Sequence, residues 1–571
     1  MDRRSFIKGA GSLAVLAAFA PMFAFAGKAE AAGKTRVLVN GKIYTVNKKQ
    51  PWAEAIVIKG NKIAYVGDNA GARKFAPAGK IEDLGGRFMM PGIIDGHVHP
   101  IMAIVLQGMI RFKPTDTLDD MKKVLTDYMA KHPDLPAYCG MGWMDAYFGA
   151  QGPAKEVLDE ICPDKPMTLL SSSGHVAWCN SKALEIAKVD KDTPDPDKEA
   201  GIYYMRDAEG NPTGYIKESG CINHVLSSTQ YINEDFLADD AEKFMKECSE
   251  LGITGLIDCG NYDFTEYLMD DRIMEALEDK DCAVRLTACG YIANKANIQT
   301  TFDEIKMLNS KYYSDRFRCY TLKILNDGTL ENFSAAMPNL PDGVSAVQPV
   351  MDADLLEKWG IEAAKAGLDL NVHAIGSLTV HAVLEAAGRI RAKGYKNIRI
   401  TCSHSAYVFD EDLPLFKKYN VIANSTAKWF SALPAELKDM EKDIARANPY
   451  PLGRIKKTGA IISLSSDYPT DLYTFRPMPN IEVAMTRQAV GDKDAFINEE
   501  QDRLKLEDII EAYTINNAYQ MRMEDKLGSI EVGKYADMIV LDHNLFETDV
   551  YKIHDVNVVE TIMDGVTRFK K

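Results

Sequence analysis

From about residue 240 onward the chain repeats one unit, a helix-spaced segment followed by a short apolar run, and this alternation restricts the fold more than any other feature. In "DDAEKFMKECSELG" the apolar residues Phe244, Met245, Cys248 and Leu251 fall at helical spacing, and "ITGLIDCG" follows as a buried strand. The unit recurs in "DLLEKWGIEAAKAG" with "LDLNVHAIG", in "TVHAVLEAAGRIRAKGY" with "KNIRITCSHS", in "DEDLPLFKKY" with "NVIANST" and in "LGRIKKTG" with "AIISLSSDYP". A helix between two strands returns the chain in the same direction, so the sheet is parallel, and this many units predicts a (β/α)8 barrel of the TIM type in the α/β class. The spacing is too irregular for a solenoid of short repeats. Eight apolar runs qualify as barrel strands: "MMPGIIDGH", "ITGLIDCG", "VRLTACGYI", "YTLKILNDG", "LNVHAIG", "IRITCSH", "NVIANST" and "AIISLSSD".

Two further regions flank and interrupt that pattern. "TRVLVNGKIYTVNKKQPWAEAIVIKGNKIAYVGDN" is a set of short β-prone runs broken at Asn40-Gly41 and Gly60-Asn61, which read as hairpin turns. "GSIEVGKYADMIVLDHN" and "VVETIMDGVTRF" repeat the character at the other end. A long insertion, about 104–240, separates the first barrel strand from the second and is expected to cap the barrel mouth. With 46 % hydrophobic residues the chain has ample material for a large core.

Polar residues end the predicted strands. His97 and His99 stand one residue apart in "PGIIDGHVHP", and alternate side chains of a strand share a face, so both imidazoles point the same way. Lys323 lies in the fourth strand, His373 ends the fifth, His404 the sixth and Asp467 the eighth. Each alone reads equally well as ordinary structure. Together they collect at the carboxyl-end rim, where barrel enzymes gather catalytic groups, and predict a metal site.

These residues and motifs resemble the metal-dependent amidohydrolase superfamily, and within it amidohydrolase family 3, which includes N-substituted formamide deformylase. The resemblance spans nearly the whole mature chain and includes "GMGWMD", "GHVAWCNSKAL", "TGYIKE", "LKILNDGT", "NVHAIG", "SHSAYV", "SSDYP" and "LGSIEVGKYADMIVLD". It implies a small β-sandwich built from both chain ends, with boundaries at 33–88 and 521–571 around a barrel at 89–520. It implies that His97 and His99 bind one metal, that His373 and His404 bind a second, that carbamylated Lys323 bridges them, and that Asp467 completes the site and acts as base. An ammonium has donors and no acceptor, so only the carbamate form of Lys323 could ligate; the alternative is a buried amine paired with Asp327 or Asp467. Two imidazoles and oxygen ligands per ion suit Zn(2+), with manganese or iron as alternatives. The pattern departs from the family at Ser377, where aspartate is usual, at "CSHSA", where Glu-His-x-Gln is usual, and at Asn326, where alanine is common. No ligand is lost, but the residues that orient the ligands change.

The expected reaction is hydrolysis of a non-peptide C–N bond, an amide or N-acyl amine, with Asp467 shuttling the proton from water to the departing amine. Lowering the pKa of a metal-bound water from about 15.7 to about 7 corresponds to on the order of 12 kcal/mol. Acid–base help contributes about 3–5 kcal/mol, so the metal dominates. His175 in "SSSGHVAW" is the candidate for hydrogen bonding to the substrate or its carbonyl oxygen. Trp143, Tyr215 and Trp429 are candidate aromatic walls, and Lys217 either holds a carboxylate or pairs with Glu218 at the surface. The same scaffold supports hydratase, isomerase and esterase chemistry as rivals, and a non-catalytic binding or regulatory protein is the remaining alternative. Serine-hydrolase, nucleotide-loop and dinucleotide-binding motifs are absent.

The first 32 residues read as a leader. Arg3-Arg4 with Phe6 and Lys8 resembles a twin-arginine signal, an apolar run follows to about Ala26, and Ala24-Phe25-Ala26 offers a cleavage site. Export machinery is therefore an expected partner, the compartment is periplasmic or secreted, and no stable membrane anchor is expected. The formal charge is −15, and losing Arg3, Arg4 and Lys8 with the leader makes the mature chain more acidic still, which argues against nucleic-acid partners. The ten cysteines lack a Cys-x-x-Cys pair and several lie in apolar runs, so buried thiols are expected. The small-molecule substrate and a homodimer are the remaining partner expectations.

Overall fold

The computed structural model describes residues 35–113, 115–149, 151–229, 237–260, 284–292, 298–330, 333–338, 347–431, 447–470 and 475–571. The expected leader lies outside them. Eight parallel strands form one sheet in chain order: β1 (Ile93–Val98), β2 (Ile253–Asp258), β3 (Arg285–Ile292), β4 (Phe317–Leu325), β5 (Asp369–Ala374), β6 (Ile400–His404), β7 (Val421–Thr426) and β8 (Ile462–Ser465). All eight predicted apolar runs supply a strand. The last strand returns against the first, and backbone hydrogen bonds close the seam just beyond them: Asp467 N–H donates to His97 O at 2.8 Å, and His99 N–H to Tyr468 O at 2.8 Å. The barrel is nearly closed, a TIM-type α/β architecture.

One boundary differs from the sequence reading. "MMPGIIDGH" is not one strand: Phe88–Pro91 pairs antiparallel with Met538–Leu541 in a different sheet, and the barrel strand begins at Ile93. Pro91 cannot donate to a ladder, and Gly92 packs with no room for a Cβ against Thr254, so the chain changes sheet there. The Phe88–Pro91 strand belongs to a six-stranded sheet that combines both chain ends, and a four-stranded sheet from the amino-terminal end packs on it. Leu38, Ile56 and Ile58 of one sheet and Ile43, Met89, Met538 and Ile562 of the other form their shared core.

The carboxyl-terminal region also covers the amino-end rim of the barrel. Arg285, at the start of β3, is buried and pairs with Asp537 at 2.9 Å and Asp564 at 2.6 Å. Arg522 binds Asp369 at the start of β5, Arg399 before β6 binds Glu524, and Lys526 binds Asp315 before β4.

Between β1 and β2 the insertion folds around its own mixed sheet of six strands, which includes Tyr138–Trp143, Met167–Ser171, Val176–Cys179 and Pro212–Lys217. Trp143, Trp178, Leu158, Leu169 and Tyr215 form its core. Nine cysteines fall among the described residues and all are free thiols. Among the described residues no helix is long and apolar enough to cross a membrane.

Candidate metal centre

The strand register brings the predicted ligands to one rim. Ala374 pairs with His404 across β5 and β6, Leu325 with His373 across β4 and β5, and Asp467 is tied to β1 by the closing seam. His97, His404 and Asp467 each offer one donor atom within 4.8 Å of the others, and all three side chains are buried. The rings of His97 and His404 lie 4.7 Å apart, and those of His373 and His404 4.4 Å apart. Lys323 Nζ sits 3.3 Å from His97 Nε2. His99, His175 and His373 line the same cleft, which is open to solvent.

Hydrogen bonds outside the cluster fix which ring nitrogens face it. Ser403 Oγ donates to Asn371 Oδ1 at 2.6 Å, so it accepts from His97 Nδ1 at 3.1 Å. His99 Nδ1 lies 2.6 Å from the Gly260 carbonyl, which only accepts. Nε2 of each ring therefore faces the cluster, and Asp467 Oδ1 lies 3.2 Å from that of His97 and 3.3 Å from that of His99. Asp467 Oδ1 thus lies at ion-pair distance from two imidazole nitrogens, and Lys323 Nζ is the donor that His97 Nε2 meets within the protein. His404 is buried, yet neither ring nitrogen has a hydrogen-bond partner. A buried polar group left unpaired is costly, and a metal ligand needs such a nitrogen. Burial first, against the pull of Asp467, brings His404 down to about 3, and burial with the charge of Lys323 takes His97 well below its ordinary value, so these two rings are neutral. The residues fit a divalent cation.

The backbone is strained at this rim. His404 has φ 71° and Asp467 φ 54°, both in the left-handed region that non-glycine residues avoid. Such residues cost on the order of 1–3 kcal/mol each and persist where surrounding structure over-determines them. Asp95 is part of that structure, accepting Ser466 N–H at 3.0 Å and thereby holding β8 to β1; burial pushes its carboxyl up to about 6. Asp327 holds the β5 end, accepting from Gly376 N–H at 2.8 Å and Thr379 Oγ1 at 2.8 Å.

The other candidates separate. His175 enters the cleft from the insertion, its ring 5.3 Å from that of His373. Trp429 stands against His404, ring centres 5.7 Å apart. Trp143 is not a cleft wall: it is 1 % exposed inside the insertion core, and its indole N–H donates to Leu169 O. Tyr215 is in the same core. Lys217 and Glu218 are not a surface pair. Both are buried, Lys217 lies over the rings of Tyr203 and Tyr215, and Glu218 turns to His175. Of the two alternative partners of Lys323, Asp327 is occupied by the Ile375 and Gly376 N–H groups, while the Lys323 charge helps to hold the Asp467 carboxyl below its ordinary value and the hydrogen bond of the amine goes to His97. Sequence reasoning missed Asn371, Gly260 and Gly328; Ser403 carried a signal, as the departure from the usual glutamate. Asn326, another departure, brackets the chain at Met351 with two hydrogen bonds.

A parallel barrel whose carboxyl-end rim gathers imidazoles and a carboxylate, with ligand atoms of His97, His404 and Asp467 within 4.8 Å of one another, has the design of a metal-dependent hydrolase. The amidohydrolase family profile matches residues 80–569, and the chain belongs to that family. It is 32 % identical over 357 residues to the exoenzymes regulatory protein AepA of Pectobacterium carotovorum, covering 61 % of this chain and 76 % of that protein. It is 23 % identical to the N-substituted formamide deformylase of Arthrobacter pascens, over 94 % of this chain and 98 % of that enzyme. Among solved structures, an uncharacterized metal-dependent hydrolase from Pyrococcus horikoshii shares the fold with a TM-score of 0.66 at 21 % identity, covering 90 % of this chain and 99 % of that one.

Proposed function

We propose that this amidohydrolase cleaves a non-peptide C–N bond, an amide or N-acyl amine, and that it does so after export through the twin-arginine route to the periplasm or medium. The observation that carries the reaction is the convergence of His97, His404 and Asp467, with both His404 ring nitrogens and Asp467 Oδ1 buried without a hydrogen-bond partner. His97, His99, His373, His404 and Asp467 would hold the metal, and Lys323 joins them once carbamylated, because the ammonium form has no lone pair to give. Imidazole and carboxylate donors would suit one or two zinc ions, and carbamylated Lys323 would add anionic oxygen donors to the set. When bound, a divalent cation polarises the amide carbonyl and makes hydroxide available near neutral pH.

The chain's own residues do the rest. Asp467 takes the proton of the attacking water and returns it to the departing amine nitrogen, so that one carboxylate serves both half-reactions. His175 hydrogen-bonds the substrate from the insertion side of the cleft. Burial of the His97, His404 and Asp467 side chains lowers the local dielectric and strengthens each of these interactions. The name of the formamide deformylase, matched along nearly its whole length, supports simple N-substituted amides as the substrate class.

The test is elemental analysis of the purified protein, then a screen of N-formyl, N-acyl and cyclic amides read by released amine. Stoichiometric zinc and amine release are expected. Absence of bound metal, or a hydrated or isomerised product in place of amine, overturns the reading. Intact mass before and after acid treatment tests for carbon dioxide on Lys323. A fusion of residues 1–32 to a reporter, with Arg3 and Arg4 changed to lysine as control, tests export.

A further inference from the structure

We propose that Asn371 is a positioning residue for the metal centre, which through the Ser403 hydroxyl keeps the proton of His97 on Nδ1 and leaves Nε2 to bind a cation. These three side chains and Cys259 form a relay of hydrogen bonds across the inside of the barrel, from β1 through β6 and β5 to β2. His97 Nδ1 lies 3.1 Å from Ser403 Oγ, Ser403 Oγ donates to Asn371 Oδ1 at 2.6 Å, and Asn371 Nδ2 donates to Cys259 Sγ at 3.3 Å. All four residues are buried, none more than 1 % exposed. Asn371 stands two residues before His373 on β5 and pairs with Lys323 on β4, one layer below the rim. Branched apolar side chains usually fill that layer, and a polar group there is costly unless its hydrogen bonds are complete.

A hydroxyl both donates and accepts, so Ser403 cannot set the ring by itself; the amide decides which it does. With the amide turned over, Nδ2 would donate to Ser403 Oγ, the hydroxyl would donate to His97 Nδ1, and the ring proton would move to Nε2. There it would meet Lys323 Nζ, 3.3 Å away, and an ammonium brings only donors. In the direction the structure adopts, every donor finds an acceptor: Lys323 to His97, His97 to Ser403, Ser403 to Asn371, Asn371 to Cys259. Asp467 Oδ1, 3.2 Å from His97 Nε2, has no hydrogen-bond partner, so no ring N–H is directed at it. A cation at Nε2 makes the same demand as the ammonium, a lone pair. With Lys323 carbamylated that ammonium is gone, and the Asn371 amide alone maintains the setting.

The inference rests on the metal reading of the site for its affinity arm only. Zinc affinity is measured by competition with a chromogenic chelator in the wild type, Asn371→Leu, Asn371→Asp, Ser403→Ala and the double variant Asn371→Leu with Ser403→Ala. Asn371→Leu keeps the volume but removes the acceptor, and should weaken zinc about 10–100-fold. Asn371→Val, which suits a strand and also lacks an acceptor, takes its place if the leucine variant fails to fold. Asn371→Asp keeps an acceptor for Ser403 and should bind zinc at least as tightly as the wild type. The double variant should be no weaker than Ser403→Ala, because the two residues act in series. Undiminished affinity in Asn371→Leu, or losses that multiply in the double variant, overturn the proposal. A second arm needs no metal. It uses metal-free, 15N-histidine-labelled protein carrying Lys323→Met, so that the relay alone sets the ring. The His97 signals, identified by their loss in His97→Ala, should report the Nδ1–H tautomer with Asn371 in place and a mixture in Asn371→Leu. A residue with a structural role alone would lower the unfolding midpoint and leave the tautomer of the folded protein as it was, which overturns the proposal. A shifted tautomer in a protein that binds no zinc overturns the metal reading and with it the positioning of a ligand.

Discussion

The two rims of the barrel are built on opposite terms. At the amino end, charges are paired in matched sets: the buried Arg285 with Asp537 and Asp564, and the partly exposed Arg522 with Asp369 and Arg399 with Glu524. At the carboxyl end, His404 and Asp467 hold buried atoms with no donor or acceptor to meet them, on left-handed backbone. One sheet supports both because strand direction separates them by the length of a strand. The lower rim satisfies its polar groups within the protein and carries stability; the upper rim leaves them for a ligand and carries chemistry. Each rim should therefore fail in its own way when altered.

The largest effect is expected at the upper rim. Asp467→Asn should retain bound metal and the wild-type unfolding midpoint while turnover falls by about 10²–10⁴-fold, the span of acid–base contributions. A fully active variant, measured by amine release, removes Asp467 from its role. Next comes the lower rim, where Arg285→Met leaves Asp537 buried without its cation, Asp564 keeping Arg316, and should cost about 3–5 kcal/mol in urea unfolding. Activity per folded molecule should be unchanged, and a loss of turnover at full folding would break the division between the rims.

A smaller upper-rim effect separates metal binding from stability. Ser403→Ala removes the hydroxyl that fixes the His97 tautomer, and should weaken zinc about 10–100-fold in competition with a chromogenic chelator. The smallest effect concerns pH at the lower rim. Burial by itself would raise the Asp315 carboxyl, but hydrogen bonds from Lys526, Tyr535 and Arg318 outweigh it and hold it well below the usual carboxylate range. A depressed value means that its contribution is complete above the unfolded value of about 3.9 and is lost as pH falls through the folded one. Asp315→Asn should therefore lower stability at neutral pH and flatten the acid limb of the unfolding profile, with no change in metal content.

Much of the upper rim is legible in the sequence because strand periodicity is local. His97 and His99 are two apart, each apolar run announces its own end, and all eight runs became strands. What the sequence conceals depends on register between distant segments. Glu218 reads as a surface charge until Val176 is seen opposite Lys217, which turns it toward His175 and buries it. Trp143 reads as a wall because a large aromatic beside "GMG" has no local mark of which face it takes; the insertion has a core of its own, and the ring is in it. The split at Pro91 and Gly92 is hidden by continuous hydrophobicity across two sheets. The lower-rim pairs escape notice for the same reason, since Arg285 and Asp537 are 252 positions apart.

The seam that joins Asp467 to His97 has a consequence for how the molecule is made. His97 leaves the ribosome hundreds of residues before its neighbour does, so a growing chain has half a binding site for most of its synthesis. Assembly of the centre and closure of the ring are one event, and truncated products ending before Tyr468 are inert by construction.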